Sequence, residues 1–289
     1  MPDPTSVADL TTTLRTGGYL ADRGLATAMY VAMSLRRPVL LEGEVGVGKT
    51  ELAKVIARQY DRELIRLQCY EGIDTNQALY EWDYARQLLH IRALSEQKIA
   101  DDAAIDTLFG PRFLLERPLL RAIRAGARAV LLIDEIDRAD DEFEAFLLEL
   151  LSDFQITIPE IGTIAATEPP LVVLTSNRTR ELHDALKRRC LYHWIDYPSA
   201  EREVEIVLLR APDVAHALAQ QVVVAVHRLR ELELAKPPGV AETIDWARTL
   251  HFLGETTLTP AAADATIGTV VKEHDDLTMV RADLDELTG

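Results

Sequence analysis

The sequence predicts an α/β domain with a mostly parallel sheet covered by helices, followed by a small all-helical domain. Continuous apolar runs of strand length alternate with longer amphipathic runs of helical period through the first two thirds of the chain. A glycine-rich segment follows the first apolar run and opens a helix. Beyond Pro198 the apolar residues, such as Val204, Val207 and Leu208, recur only at helical spacing, so this part of the chain is predicted to be all-helical.

The chain divides near residue 197. We expect residues 1–197 to form the sheet domain, and residues 198–289 to form the helical domain with an acidic C-terminal tail. The tail, Lys272–Gly289, carries six acidic against two basic residues, and we expect it to fray. Residues 70–117 interrupt the alternation of strands and helices with a long polar and aromatic stretch, which we interpret as an insert.

The individual elements are predicted from the apolar runs of strand length and from the amphipathic runs of helical period. The first predicted helix covers Asp22–Leu35, where Leu25 and Met29 recur at helical spacing before Pro38 stops the run. In chain order, the predicted strands are Val39–Leu41, Glu63–Leu67, Ala129–Ile133, Pro170–Thr175 and Leu191–Ile195. The further predicted helices are Glu51–Tyr60, Leu119–Ala125 and Asp141–Phe154. The short runs Gln155–Ile158 and Thr163–Ala166 are joined by a four-residue turn and predict a hairpin.

Charge and cysteine content narrow the class of protein. The formal charge is −16, from 47 acidic and 31 basic residues, which argues against a broad electrostatic grip on nucleic acid. Cys69 and Cys190 are the two cysteines, and we interpret them as reduced core thiols of a cytosolic protein. The apolar runs are too short to span a bilayer, and the N-terminal sequence has no export signal. We therefore expect a soluble, cytoplasmic protein.

A phosphate-binding motif follows the first predicted strand. Residues 43–50 fit the pattern G-x-x-x-x-G-K-[ST], whose glycines let backbone N–H groups converge on a triphosphate. Lys49 would place a positive charge at the β and γ phosphates, and the hydroxyl of Thr50 would bind Mg²⁺. The motif therefore predicts ATP and Mg²⁺ as cofactors. The predicted nucleotide contacts are Gly43, Glu44, Val45, Gly46, Val47, Gly48, Lys49, Thr50 and Glu51.

A pair of acids ends the buried strand Ala129–Ile133. Burying Asp134 and Glu135 there is costly unless a cation meets them. In a P-loop protein this is the Walker B position, where Asp134 would hold Mg²⁺ and Glu135 would polarise the attacking water. Alternatively, Asp134 only caps the following turn.

Asn177, Arg188 and Arg189 are further candidates for the same site. Asn177 follows a strand, and if that strand lies beside the other two, its amide reaches the same crevice and can position water. Asn is also a common turn residue. Arg188 and Arg189 are candidates for an arginine finger, which stabilises charge on the γ phosphate from a neighbouring molecule. Their alternative is a solvated basic pair.

At these motifs the chain resembles an AAA+ ATPase, and more closely the MoxR family. The residues that carry the resemblance are 40–50, 132–139, 175–177 and 185–189, and the similarity spans about residues 18 to 255. Residues 67–72 and 80–84 resemble the CoxD-type branch, which is associated with the maturation of molybdenum hydroxylases such as carbon monoxide dehydrogenase.

The resemblance implies several roles. It implies a homo-hexameric ring in which Arg189, or Arg188, enters the neighbour's ATP site. It also implies that Asn177 is sensor 1 and that the region after Pro198 is a lid over the nucleotide. The insert at 70–117 and the hairpin at 155–166 would face the pore or substrate side of the ring.

One position departs from the wider family. An arginine usually stands at the start of a lid helix as sensor 2, whereas this chain has Glu242 there and an arginine only at Arg248. Whether Arg248 takes over this role is open at the level of sequence.

The functional hypothesis is an Mg²⁺-dependent ATPase that remodels or matures a protein partner. The resemblance implies a von Willebrand factor A domain adaptor and a metalloenzyme client. Alternatives are a nucleic-acid motor, which the net charge opposes, a P-loop kinase, and a nucleotide switch without hydrolysis, which the presence of Glu135 disfavours. The aromatic residues of the insert (Tyr70, Tyr80, Trp82 and Tyr84) lack interleaved basic residues, which favours protein contact or core packing over nucleic-acid stacking.

Overall fold

The structure is a computed structural model, and it describes residues 3–96 and 107–288. Residues 97–106 of the predicted insert and the last residue of the predicted tail lie outside the described residues.

A five-stranded sheet forms the centre of the fold. Its strands are β1 (Val39–Gly43), β2 (Glu63–Gln68), β5 (Ala129–Asp134), β8 (Leu171–Ser176) and β9 (Leu191–Ile195). The strand order is β2-β5-β8-β1-β9, and the pairs β2–β5, β5–β8 and β8–β1 are parallel. Every residue of β1, β5 and β8 is buried, as expected for strands covered on both faces. The predicted parallel sheet and all five of its strands are confirmed.

Helices connect the strands and continue after the last one. Those up to β9 are α1 (Val7–Thr16), α2 (Arg23–Leu35), α3 (Lys49–Gln59), α4 (Thr75–Ala78), α5 (Tyr84–Glu96), α6 (Pro118–Ala125), α7 (Asp141–Asp153) and α8 (Asp184–Arg189). Those after β9 are α9 (Ala200–Arg210), α10 (His216–Glu231), α11 (Val240–Phe252), α12 (Pro260–Thr266), α13 (His274–Ala282) and α14 (Leu284–Thr288). The predicted all-helical character of the last third is confirmed for the described residues.

Two small antiparallel sheets complete the strands. The predicted hairpin is confirmed as β6 (Gln155–Ile158) paired with β7 (Gly162–Ala165). In the insert, β3 (Tyr80–Trp82) pairs with β4 (Leu114–Glu116), which the sequence analysis did not foresee.

The insert aromatics divide between core and surface. Trp82 is buried, and its ring meets Phe109 edge-on with centroids 5.4 Å apart. Tyr70 and Tyr84 are exposed, as are the apolar residues Leu88 and Leu89 of α5. Core packing therefore accounts for Trp82 but not for the exposed tyrosines.

The chain folds as two compact units whose segments interleave along the sequence. The first unit contains Met1–Thr13, Asp22–Glu42 and Ala53–His193; the second contains Leu14–Ala21, Gly43–Leu52 and Trp194–Gly289. The phosphate motif thus belongs to the same compact unit as the C-terminal helices. The domain boundary near residue 197 was inferred from the change in sequence pattern. It remains a prediction, because the two compact units are defined by packing and do not test it.

The predicted fraying of the acidic tail is wrong for its described residues. Two helices, α13 and α14, occupy this stretch, and they bury Val280 and Leu287 in the core of the second unit. Asp276 is also buried, and its carboxylate accepts hydrogen bonds from the backbone N–H groups of Ala235 and Lys236 at 3.0 and 3.3 Å. The two apolar anchors and these bonds outweigh the charge repulsion that the composition suggested.

A buried ion pair joins three helices of the second unit. Glu203 of α9 is fully buried, and Arg230 of α10 donates to both of its carboxylate oxygens at 2.6 and 2.8 Å. Thr243 of α11 donates to the same carboxylate at 2.6 Å. The Nε of Arg230 also donates to the carbonyl of Pro238 at 2.8 Å. These bonds fix the loop that enters α11.

Candidate active site

The phosphate loop adopts a conformation that needs its glycines. Gly46 and Gly48 have φ values of +79° and +94°, which residues with a Cβ rarely adopt. At Gly43, a Cβ would lie 2.2 Å from the carbonyl oxygen of Ile195. Helix α3 begins at Lys49, so its N-terminal N–H groups point towards the loop. These glycine conformations and the start of the helix are what a phosphate-binding loop requires, and the nucleotide contacts themselves stay a prediction.

Lys49 is buried within this loop. Its ammonium group donates to the carbonyls of Gly43 and Glu44 at 2.7 and 2.6 Å. The side chain of Lys49 therefore lies along the loop, with its ammonium group next to the backbone carbonyls at the start of the motif.

Backbone from the C-terminal helices packs on the tip of the loop. The N–H of Val240 donates to the carbonyl of Gly46 at 3.1 Å. A Cβ at Gly239 would lie 2.6 Å from the Cα of Gly46 and 3.0 Å from the carbonyl oxygen of Val45. On another side of the loop, the ring of Tyr19 lies 3.5 Å from the position of a Cβ at Gly48. Neither Gly239 nor Tyr19 was singled out from the sequence.

Arg210 and Arg248 make different contacts. Arg210 of α9 pairs with Glu51 of α3 at 3.0 Å, one residue after the motif. Arg248 donates to the backbone carbonyl of Arg210. Glu242, at the position where the wider family has sensor 2, accepts from the N–H of Gly239 at 3.1 Å and so caps α11. The arginine that reaches the start of α3 is therefore Arg210, which the sequence analysis missed.

In the first unit, Thr175 holds the acidic pair. The carboxylate of Asp134 is buried at the end of β5, and the hydroxyl of Thr175 donates to its Oδ1 at 2.6 Å. The same hydroxyl accepts from the N–H of Glu135 at 2.9 Å. One buried side chain on the neighbouring strand β8 thus orients both acids.

Arg66 of strand β2 binds the other oxygen of Asp134. Its Nε lies 2.9 Å from Oδ2, and its Nη2 donates to the same oxygen. Asp134 is therefore a paired carboxylate, and the alternative in which it only caps a turn does not describe its contacts.

Glu135 has an unusual backbone conformation. Its φ and ψ are 55° and 51°, the left-handed region that side chains with a Cβ seldom occupy. Its carboxylate is partly exposed and pairs with Arg138 at 2.9 Å. The role of Glu135 as a general base stays a prediction, for which this partly exposed carboxylate is available.

Asp137 fixes the position of Asn177. Buried Asp137 accepts from the N–H of Asn177 at 3.2 Å, and from the N–H and hydroxyl of Thr179 at 2.8 and 2.7 Å. Arg178, between them, has a φ of +57°. The strand order confirms that β8 lies between β5 and β1, so Asn177 follows a strand next to the acidic pair.

The carboxylates also affect a neighbouring thiol. Burial, together with the nearby negative charges of Asp134, Asp137 and Glu135, raises the pKa of Cys69 to about 12. Burial likewise raises the pKa of Cys190 to about 12. Both cysteines are free and buried, so their interpretation as reduced core thiols fits their surroundings.

Arg188 and Arg189 are exposed at the end of α8. The guanidinium of Arg189 donates to Ser152 of α7. Among the described residues, no hydrogen bond or ion pair joins either arginine to Asp134 or Glu135. Within one chain, therefore, the described contacts of these two arginines do not include the acidic pair.

Comparison with known proteins decides the family. Residues 38–190, more than half of the chain, match the AAA domain of the dynein-related subfamily. The chain belongs to the AAA family. It binds and hydrolyses ATP, and members of this family typically form oligomers.

Two relatives extend the similarity beyond the AAA domain. The chain is 26% identical over 277 residues to the gas vesicle ATPase GvpN of Haloferax mediterranei, covering 90% of this chain and 76% of GvpN. It is 25% identical over 213 residues to the denitrification regulatory protein NirQ of Pseudomonas aeruginosa, covering 71% of this chain and 72% of NirQ.

Solved structures show the same fold. A variant of RuvB from Thermotoga maritima superposes with a TM-score of 0.51 at 18% identity, covering 98% of this chain and 80% of that chain. A likeness at this identity concerns the AAA fold alone. Over the described residues, every helix is too short or too polar to traverse a lipid bilayer.

Three of the residues whose roles were missed from the sequence share one property. Thr175, Arg66 and Asp137 act through hydrogen bonds to a neighbouring strand or turn, so their roles depend on strand order. Thr175 carried one available signal, since it is a polar residue at the end of an otherwise apolar strand and two positions before Asn177.

We predict that Gly239→Ala weakens ATP binding by about tenfold, because the added Cβ overlaps the backbone of the phosphate loop. The matched control is Gly268→Ala, where a Cβ meets nothing within 4 Å. Titration with a fluorescent ATP analogue measures both affinities. Equal affinities for the two variants would contradict a role for Gly239 in shaping the loop.

We predict that Thr175→Val lowers kcat by about tenfold to a hundredfold, because a hydrogen bond to a charged group contributes about 1.5–3 kcal/mol. Thr175→Ser keeps the hydroxyl and should retain most of the activity. Steady-state ATPase assays with both variants test this. A Thr175→Ser enzyme as slow as Thr175→Val would show that the methyl group, not the hydroxyl, matters.

Proposed function

We propose that this chain is a MoxR-type AAA+ ATPase that uses Mg²⁺-dependent hydrolysis to remodel or mature a protein partner. The observation that carries hydrolysis is the arrangement of the acidic pair. Thr175 orients Asp134, and Glu135 projects a partly exposed carboxylate from a left-handed turn. A protein that only binds nucleotide has no need for a carboxylate presented in this way.

The donor chemistry fits a magnesium ion. Asp134 offers a buried carboxylate and Thr50 a hydroxyl, which are the oxygen donors that Mg²⁺ takes. When bound, Mg²⁺ neutralises charge on the phosphates during the transfer. In this proposal Lys49 binds the β and γ phosphates with the loop from Gly43 to Glu51, Glu135 takes a proton from the attacking water, and Asn177 positions that water.

A hexameric ring would complete the site. Arg188 and Arg189 are exposed on α8 and, within their own chain, have no bond to the acidic pair among the described residues. A role in the neighbour's site accounts for a pair of exposed arginines at the end of one helix. In this ring Arg248 would support Arg210, whose side chain reaches α3, and would not itself meet the γ phosphate.

The insert is the surface proposed for protein contact. Helix α5 exposes Tyr84, Leu88, Leu89 and Ile91, and exposed apolar residues grouped on one element mark protein interaction sites. The resemblance points to a von Willebrand factor A domain adaptor and to a client such as a molybdenum hydroxylase of the carbon monoxide dehydrogenase kind. GvpN is named as a gas vesicle ATPase, which supports ATP hydrolysis by this chain, and NirQ is named as a denitrification regulatory protein. In this proposal the protein acts in the cytoplasm.

We predict that ATPase activity per chain rises with protein concentration and that Glu135→Gln binds ATP without hydrolysing it. The single variants Arg188→Ala and Arg189→Ala identify the arginine finger. The variant that lacks the finger should have no ATPase activity on its own. Mixing it with Glu135→Gln subunits should restore activity, because the mixed ring joins an intact acidic pair to an intact arginine. Activity that is independent of concentration, with both arginine variants fully active, would point to a monomer and favour the kinase or switch alternatives.

We predict that Glu135→Gln protein loaded with ATP retains a von Willebrand factor A domain partner and a metalloenzyme in a pull-down from its own cells. Tyr84→Ser/Leu88→Ser, which leaves the nucleotide residues untouched, should lose the metalloenzyme. Mass spectrometry of the eluates provides the measurement. Recovery of neither protein would refute the maturation role while leaving the ATPase intact.

A further inference from the structure

Arg66 lies on the edge strand of the central sheet, next to the strand that ends in the acidic pair. Strands β2 and β5 are parallel, with Arg66 opposite Leu132 and Gln68 opposite Asp134. Side chains two residues apart on a strand point to the same face. Arg66 and Gln68 therefore project to one face, and the guanidinium of Arg66 extends along β2 towards the carboxyl end of β5.

The contact with Asp134 uses two nitrogens of the guanidinium. Nε donates to Oδ2 at 2.9 Å and Nη2 donates to the same oxygen, while Nη2 also donates to the side chain of Gln68. The hydroxyl of Thr175 occupies Oδ1 at 2.6 Å. Both oxygens of the carboxylate therefore have donors from the protein itself.

Exposure differs sharply between the two partners. The side chain of Asp134 is 3% exposed, whereas that of Arg66 is 49% exposed. A buried carboxylate without a cation is strongly unfavourable, so Arg66 stabilises Asp134. A half-exposed arginine, in contrast, can turn into water at a lower cost than a buried one, because about half of its side-chain surface is already in solvent.

We propose that Arg66 is an internal cation that occupies Asp134 in the metal-free protein and competes with Mg²⁺ for this carboxylate. This inference rests on the proposed Mg²⁺-dependent function. Two cations beside one carboxylate repel each other, so Arg66 must leave Oδ2 or share it when Mg²⁺ binds. Arg66 thereby raises the Mg²⁺ concentration that nucleotide binding requires, and protects the acidic site when Mg²⁺ is scarce.

The test uses the full chain with Arg66→Gln and a matched control. The control is Arg121→Gln, which removes the same charge from an exposed pair with Glu63 in the same compact unit. Binding of a fluorescent ADP analogue is measured as a function of Mg²⁺ concentration. For Arg66→Gln we expect the half-saturating Mg²⁺ concentration to fall by about threefold to tenfold, the effect of removing one partly exposed charge. For Arg121→Gln we expect the wild-type value.

Thermal unfolding provides a second readout that does not depend on activity. Without Mg²⁺ and nucleotide, Arg66→Gln should unfold at a lower temperature than Arg121→Gln, because the buried carboxylate of Asp134 loses a cation. With Mg²⁺ and ADP the difference should shrink, because the metal replaces the missing charge. If Arg66→Gln does not fold, Arg66→Lys takes its place in both measurements. Lysine keeps the charge but not the two-nitrogen geometry, so we expect smaller changes in the same directions.

The outcomes separate this inference from the proposed function. If wild-type protein binds ADP without any dependence on Mg²⁺, the proposed function fails and this inference fails with it. If wild-type binding depends on Mg²⁺ but the Arg66 variants follow Arg121→Gln in both measurements, only the role of Arg66 is overturned.

Discussion

The buried carboxylate of Asp134 is the constraint around which the first compact unit is arranged. A charge at the end of a fully buried strand is tolerated only if donors surround it. The neighbouring strands supply them, a hydroxyl from Thr175 on β8 and a guanidinium from Arg66 on β2. Because β5 lies between these two strands, the strand order itself determines which residues can serve.

The conformation of Glu135 follows from the same arrangement. Its N–H is bound to Thr175, which already holds Asp134, so the backbone turns sharply at the end of β5. That turn places Glu135 in the left-handed region, at a cost of about 1–3 kcal/mol. The hydrogen bonds of Thr175 offset this strain. Left-handed backbone also occurs at other residues of this chain, such as Phe154 at the end of α7, so the role of Glu135 rests on its place beside Asp134 and not on its dihedral angles alone.

The second compact unit applies a comparable device to the phosphate loop. The buried pair of Glu203 and Arg230 holds three helices together, and Arg230 also binds the carbonyl of Pro238. Pro238 precedes Gly239, whose backbone packs against Gly46. The buried ion pair is thus connected to the tip of the phosphate loop through the backbone of Pro238 and Gly239. Changes in the packing of these helices should therefore reach the loop directly.

The fold was predictable from the sequence where one physical signal dominated. Continuous apolar runs identify buried parallel strands such as β5, and the eight-residue phosphate motif has few alternative uses. The interleaving of the compact units was not predictable, because the phosphate loop follows a strand of one unit and packs with helices about 190 residues away. The role of Arg66 was equally hidden, since nothing in a solvent-facing position of an edge strand distinguishes an arginine that will reach a buried acid. The tail was mispredicted because composition records its charges but not the two apolar anchors, Val280 and Leu287.

Fold alone does not select the partner on which such an ATPase acts. A motor that tracks nucleic acid needs a basic surface to neutralise phosphates, and this chain carries a net charge of −16. Part of its positive charge is already bound within the chain, as Arg66 is by Asp134 and Arg230 by Glu203. The apolar side chains exposed on α5, including Leu88 and Leu89, would gain little from a phosphate backbone and much from an apolar protein surface. Charge and exposed area therefore both support the proposed protein partner, and they do so independently of the resemblance in sequence.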